Sequence, residues 1–99
     1  MTIEIKRNAG QTAIKIVGKL DSITAPVLEK NIRENVSDSQ DLVLDLTGLE
    51  AISDAGVCML LEVQRKMQRL GSLRLTSVGD AVMDVLERTG AVHVLVIER

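Results

Sequence analysis

Apolar and polar residues alternate along the first part of the chain. Isoleucines alternate with charged residues in two short runs, and Ala9-Gly10 lies between the runs. Alternation with a period of two is typical of a strand with one buried face, and glycine is typical of a tight turn. The pattern predicts a β-hairpin with strands over residues 3–8 and 11–18. The isoleucines are Ile3, Ile5, Ile14 and Ile16.

Three later segments carry apolar residues at helical spacing. In residues 24–36 they recur every four positions after Pro26, whose fixed φ angle suits the first turn of a helix. Residues 55–70 have one apolar row and one polar face, and a third, shorter pattern ends at Gly90. We therefore expect three helices. The apolar rows are Leu28, Ile32 and Val36; Leu60, Val63, Met67 and Leu70; and Val82, Val85 and Leu86.

The remaining apolar segments have the length of strands. Residues 41–46 contain an apolar run that is typical of a central strand covered on both faces. Residues 72–77 alternate, and residues 91–97 form a last apolar segment. The elements follow the order β-β-α-β-α-β-α-β. This order predicts one α/β domain over residues 1–99, with a mixed sheet of about five strands, parallel later strands and helices packed on the sheet.

Composition narrows the functions that such a domain could have. The chain has 12 basic and 14 acidic residues and no Phe, Tyr or Trp. Proteins that bind nucleic acid usually have a basic surface and stack bases on aromatic rings, so nucleic acid is not an expected partner. No apolar run approaches the roughly 20 residues that span a bilayer, and the first residues do not resemble a signal peptide. We expect a cytoplasmic protein that does not insert into membranes.

Residues suited to catalysis or metal binding are scarce. His93 is the single histidine and lies in the apolar segment 91–97, which favours a structural histidine at a sheet edge or partly buried. Cys58 is the single cysteine, and its apolar neighbours favour a buried side chain that fills the core. The chain has no cysteine and histidine spacing for zinc and no glycine-rich phosphate loop. The sequence therefore predicts a binding protein without enzymatic activity, metal or cofactor.

A polar stretch leads from the predicted central strand into the second helix. Ser53 and Asp54 come directly before the first residues of this helix. The first N–H groups of a helix are unpaired and its dipole is positive there, so this position stabilises negative charge. From the residues alone, two interpretations remain. Ser53 or Asp54 caps the helix, or the two residues belong to a binding site.

Four segments form a combined pattern along the chain: Gly18-Lys-Leu-Asp21, Asp45-Leu-Thr-Gly-Leu-Glu-Ala-Ile-Ser-Asp-Ala-Gly56, Gly71-Ser-Leu-Arg-Leu-Thr76 and Val85-Leu-Glu-Arg-Thr-Gly90. Together they resemble the STAS domain, and the resemblance covers nearly the whole chain. It implies an α/β fold of the kind described above. For bacterial anti-sigma factor antagonists of this family, it implies binding to an anti-sigma factor, often a serine kinase, and regulation of transcription through release of a sigma factor. In that family, phosphorylation of a serine ends the interaction.

The turn before the second helix departs from the family pattern. The family's serine lies two residues before the glycine of an Asp-Ser-Ser-Gly-like turn, and here Asp54 occupies that position before Gly56. Ser53 occupies the position of the family's aspartate. A carboxylate is not a substrate of a serine kinase. The resemblance therefore leaves three interpretations: an unregulated or differently regulated antagonist, a displaced acceptor at Ser53, or an Asp54 that permanently mimics the phosphorylated state. Phosphate carries roughly −1.5 to −2 charges and aspartate about −1, so the mimicry would be partial.

The resemblance also implies a polar surface for the partner, which we call the recognition edge. The structural alternative is that Asp21, Ser22 or Thr24 only caps the first helix. Two other functions remain open: a STAS subunit of a lipid-transport or stress-signalling assembly, and a nucleotide-binding STAS protein. We expect a monomer or a weak dimer. The recognition edge consists of Asp21, Ser22, Thr24, Ser53, Asp54, Ala55, Gly56 and Val57.

Overall fold

One mixed sheet organises the computed structural model, which describes residues 1–36 and 41–98. Within these residues the sheet has five strands, and strands that follow each other in the chain are neighbours in the sheet. The first two strands are antiparallel and every later pair is parallel, as the sequence predicts. The strands are β1 (Thr2–Asn8), β2 (Gln11–Leu20), β3 (Asp41–Ile52), β4 (Ser72–Thr76) and β5 (Val96–Glu98).

Three helices connect the parallel strands. They are α1 (Ala25–Asn35), α2 (Asp54–Leu70) and α3 (Asp80–Thr89). Each parallel strand is added next to the preceding one, always in the same direction along the sheet. Connections that cross over between parallel strands are right-handed, so the helices all pack on the same face of the sheet. The three predicted helices are confirmed, and α2 begins one residue before the predicted start.

The sheet has one buried face and one half-exposed face. Ile14, Leu44 and Leu75 are aligned across three strands and are fully buried. On the other face, Asp45 lies between Lys15 and Thr76, and all three are only partly buried. The prediction that the central strand is covered on both faces is therefore wrong. The apolar run of β3 contains Val43, whose side chain belongs to the half-exposed face.

The strands β2 and β3 extend further than the sequence predicts. The polar stretch after Leu46 continues β3 as far as Ile52, because Leu49 and Ile52 are buried and the stretch pairs with the end of β2. Two register shifts accompany this pairing, one between Lys15 and Val17 and one between Gly18 and Lys19 of β2, and each leaves an extra residue in β3, as in a β-bulge. Both strands consequently end at the same edge of the sheet.

The last strand, predicted over residues 91–97, is confirmed as the fifth strand of the sheet, but it begins only at Val96. Ala91–His93 forms a short 3₁₀ turn after Gly90, which ends α3 in the left-handed conformation with φ of 81°. Ala91 and Leu95 are buried, four residues apart, and a hydrogen bond joins the Leu95 N–H to the Ala91 carbonyl. This helical spacing leaves only Val96–Glu98 for the strand. His93 is exposed and lies outside the strand, so the expected structural histidine at a sheet edge is wrong.

Candidate functional site

The carboxyl ends of β2 and β3 bring the two parts of the recognition edge together. Leu20 and Ile52 are paired at the ends of these parallel strands. The Ser53 N–H donates a hydrogen bond to the Leu20 carbonyl at 2.9 Å, one residue before Asp21. The segments that follow the two strands therefore start side by side, and each leads into a helix.

Ser53 caps the N-terminus of α2. Its Oγ accepts a hydrogen bond from the Gly56 N–H at 3.4 Å, and its backbone is extended, as is usual for a capping residue. Asp54 is the first residue of the helix and its side chain is exposed. Among residues 1–36 and 41–98, Asp54 makes no ion pair. The Ser53 hydroxyl is therefore engaged in capping the helix, whereas the carboxylate of Asp54 lies in solvent at the positive end of the helix dipole.

Gly56 and Val57 position the recognition edge, because both are buried. A Cβ added to Gly56 would lie 2.9 Å from the Leu20 carbonyl oxygen and 2.8 Å from Cγ1 of Ile52. Only glycine lets the first turn of α2 approach the end of β2 so closely. Val57 is 3% exposed and packs in the core. The members of the edge with exposed side chains are Ser22, Asp54 and Ala55.

Asp21 organises the turn that leads into α1. Its Oδ1 accepts hydrogen bonds from the backbone N–H groups of Ile23 and Thr24, both at 3.0 Å. The bond from the Thr24 N–H, followed by that from Ile23, lowers the pKa of Asp21 below its ordinary value.

The predicted cap of α1 by Ser22 or Thr24 is wrong. Thr24 occupies the capping position, but its hydroxyl bonds to the Lys19 carbonyl at 2.7 Å and no side chain caps the helix. The Thr24 hydroxyl also accepts the Asp21 N–H, at 2.9 Å. Ser22 is exposed between the turn and the helix. The Asp21 carboxylate instead orders the turn before the helix, where it accepts from the N–H groups of Ile23 and Thr24.

A groove of about 430 Å³ extends from the recognition edge between α1 and α2. Ser22 and Ala55 lie at the end of the groove that belongs to the recognition edge, and the two helices form the walls of the groove. Cys58 lines it and is exposed, so the predicted buried cysteine is wrong. The core row of α2 lies on another side of the helix, which leaves Cys58 facing solvent. The groove is lined by Ser22, Ala25, Pro26, Glu29, Ala55, Cys58, Met59 and Glu62.

Sequence reasoning did not identify the part of this groove that lies beyond the recognition edge. The signal that could have identified it is the helical spacing of Pro26 and Glu29 on α1 and of Cys58 and Glu62 on α2. These residues lie outside the apolar rows that form the core. The pattern identifies them as surface residues, but it does not say that the two rows face each other.

The described residues contain no cluster of His, Cys, Asp or Glu side chains that could hold a metal ion. Within the same residues, none of the helices is both long enough and apolar enough to span a membrane.

Comparison with known proteins gives a family and a set of similar structures. The family model described as STAS domain matches residues 2–99. No curated protein sequence matches the chain. An anti-sigma factor antagonist from Mycobacterium paratuberculosis is 26% identical, with a TM-score of 0.86, and the alignment covers 98% of this chain and 84% of that chain.

Two further structures share the fold. The anti-sigma factor antagonist SpoIIAA in its unphosphorylated form is 16% identical with a TM-score of 0.79, and 97% of this chain and 87% of that chain are covered. A sulfate transporter family protein from Wolinella succinogenes is 21% identical with a TM-score of 0.78, and 92% and 78% of the two chains are covered.

Proposed function

The chain belongs to the STAS domain family, and from this premise we propose that it is a cytoplasmic, non-enzymatic anti-sigma factor antagonist. Its partner is an anti-sigma factor of the serine kinase type, which docks on the recognition edge. Binding releases the sigma factor that the partner held and so regulates transcription. The protein acts as a monomer or a weak dimer, without a cofactor.

One observation carries this proposal: Asp54 is exposed at the start of α2, beside the turn that contains Asp21 and Ser22. The carboxylate has no ion partner among residues 1–36 and 41–98 and is free to contact another protein. Ile23, which follows Ser22, is 79% exposed. An exposed large apolar residue next to polar groups is typical of a surface that binds a protein. The similarity to the mycobacterial antagonist supports the same function.

The proposal includes a difference in regulation. Asp54 stands at the position of the family's phosphorylated serine, so the native chain is not modified at this position. Ser53 has a hydroxyl that caps α2, and its residue is partly buried. A phosphate at Ser53 would replace this hydroxyl as the cap and add charge beside Asp54. We therefore favour an antagonist that is unregulated or regulated in another way over a displaced acceptor.

The test is phosphorylation and binding by a serine kinase anti-sigma factor from the same cell. The Asp54→Ser variant restores the family's acceptor, and serine also stabilises helix N-termini, so the fold is retained. We expect the kinase to bind the native protein without modifying residue 54, and to phosphorylate the variant, with the site located by mass spectrometry. Asp80→Ser is the matched control, because Asp80 is also the exposed first residue of a helix, α3.

Other outcomes decide against parts of the proposal. Phosphorylation of native Ser53, lost in Ser53→Ala, would establish the displaced acceptor instead. If the native protein neither binds nor is modified by any anti-sigma factor of the cell, the antagonist function is wrong. The alternative is then a STAS subunit of another assembly, such as a lipid-transport or stress-signalling complex, or a nucleotide-binding STAS protein.

A further inference from the structure

The groove between α1 and α2 has acidic residues on both walls. Asp54, Cys58 and Glu62 follow each other at intervals of four along α2, so they form one exposed row. Glu29 of α1 lines the opposite wall. No lysine or arginine lines this groove among the described residues. Because Glu29 is paired with cations, the negative potential comes from the α2 wall, which carries Asp54 and Glu62.

The two exposed carboxylates of the α2 row are not neutralised by ion pairs. Glu29 pairs with Arg33, and also with Lys66 at 3.8 Å. Asp54 and Glu62 make no ion pair within residues 1–36 and 41–98. The helix dipole accounts for an acidic residue in the first turn, where Asp54 lies, but its effect does not reach the third turn, where Glu62 lies. Glu62 lies four residues before Lys66, a spacing at which opposite charges attract, but the structure forms no ion pair between them.

Apolar surface accompanies these charges. The groove contains Ala25, Pro26 and Ala55 between its acidic walls. Ile23, in the turn before α1, and Val27 of α1 are 79% and 50% exposed, and both lie outside the lining of the groove. Such surface is favourably covered by apolar side chains of another protein. Charge and apolar surface together define one kind of occupant.

We propose that this groove binds a segment of the partner protein that carries apolar side chains and lysine or arginine residues facing Asp54 and Glu62. The inference rests on the proposed function and extends its contact surface from the recognition edge along α2. Glu62 lies eight positions after Asp54, a rise of about 12 Å along the helix, which matches two turns of a helical partner segment.

The second half of α2 limits the length of this segment. It carries Arg65, Lys66 and Arg69 and no acidic residue, whereas the first half carries Asp54 and Glu62 and no basic residue. A basic segment that continued past Glu62 would meet like charges, which oppose binding. The cations of the partner therefore lie over the first half of α2.

The first test compares the affinities of the native protein and its variants for the partner protein. The partner is the protein that the native chain captures when it carries no chemical label. Glu62→Gln is the decisive variant, since Glu62 lies outside the recognition edge and is exposed. We expect a loss of affinity of about two- to fivefold at low salt, which shrinks as salt is added. Glu87→Gln on α3 is the matched control, because Glu87 is also exposed. Equal affinities and equal salt dependence for Glu62→Gln and the control would overturn the inference.

The second test identifies the bound segment directly. Cys58 is the only cysteine of the chain, is exposed and lies between Asp54 and Glu62 in the acidic row. A benzophenone attached to Cys58 should crosslink, after illumination, to a partner peptide that contains apolar and basic residues. The control is the same label at position 81 in a Cys58→Ser, Ala81→Cys variant, since Ala81 is exposed on α3. If the peptide crosslinked to Cys58 is acidic or uncharged, the inference is overturned.

The two proposals fail in different ways. If the crosslinked partner is an anti-sigma factor but the crosslinked peptide is acidic, the antagonist function stands and the proposal of a basic segment in the groove is refuted. A basic peptide from a protein that is not an anti-sigma factor supports the chemistry of the groove and refutes the antagonist function. If the native chain captures no partner, both proposals fall.

Discussion

Replacing Gly56 by alanine tests whether close packing at the end of β2 holds the recognition edge in place. The added Cβ would lie 2.9 Å from the Leu20 carbonyl oxygen, about half an ångström closer than an ordinary contact. That oxygen also accepts the Ser53 N–H, at 2.9 Å, so it cannot move away without weakening this hydrogen bond. The Ile52 side chain, at 2.8 Å, is itself buried in the core.

The expected magnitude follows from two opposing effects. Overpacking of this kind costs about 1 to 3 kcal/mol, and alanine is favoured over glycine within a helix by up to about 1 kcal/mol. We therefore expect Gly56→Ala to lower the free energy of unfolding by about 1 to 2 kcal/mol. For a domain of this size, that loss lowers the Tm by roughly 5 to 15 °C.

Thermal and urea denaturation followed by circular dichroism measure this difference. Gly79→Ala is the matched control, because an added Cβ there has no neighbour within 4 Å and φ is −76°, which alanine adopts freely. Gly79 is the N-cap of α3, where alanine is less favoured than glycine, and the lower entropy of the unfolded chain offsets this cost, so we expect the control to change the free energy of unfolding by less than about 0.5 kcal/mol. A Gly56→Ala variant as stable as the native protein would refute the packing argument. Weaker partner binding should accompany the loss of stability, since Ser53 and Asp54 would shift together.

Two further predictions concern single side chains. Asp21 has a lowered pKa in the folded protein, so its ionised form contributes stability above the ordinary value of 3.8, and this stability is lost as the pH falls through the lower folded pKa. The stability difference between the native protein and Asp21→Asn, measured by urea denaturation from pH 7 down to about pH 2, should therefore narrow in acid; a constant difference would contradict this. Cys58 is exposed and should react with a thiol reagent in the native protein as completely as in urea, whereas protection until unfolding would mean that it is buried.

The order of helices and strands was predictable from the sequence because burial of one side spaces the apolar residues differently in a helix and in a strand. The row Leu60, Val63 and Met67 identified the buried side of α2, and these residues are in the core. The junction of a strand with a helix at Ser53 also followed from the pattern, and a serine before a helix is a frequent cap. These features depend on neighbours in the chain, which the sequence displays directly.

Only the tertiary structure decided which segments face each other. The contact between Leu20 and Ser53 joins residues far apart in the chain and depends on the parallel pairing of β2 with β3. Cys58 has apolar neighbours in sequence, yet it is exposed in a groove because α1 packs beside α2 and leaves that side open. A period in the sequence defines the buried side of a helix. It does not define what lies beside the remaining surface, because that depends on contacts between separate elements.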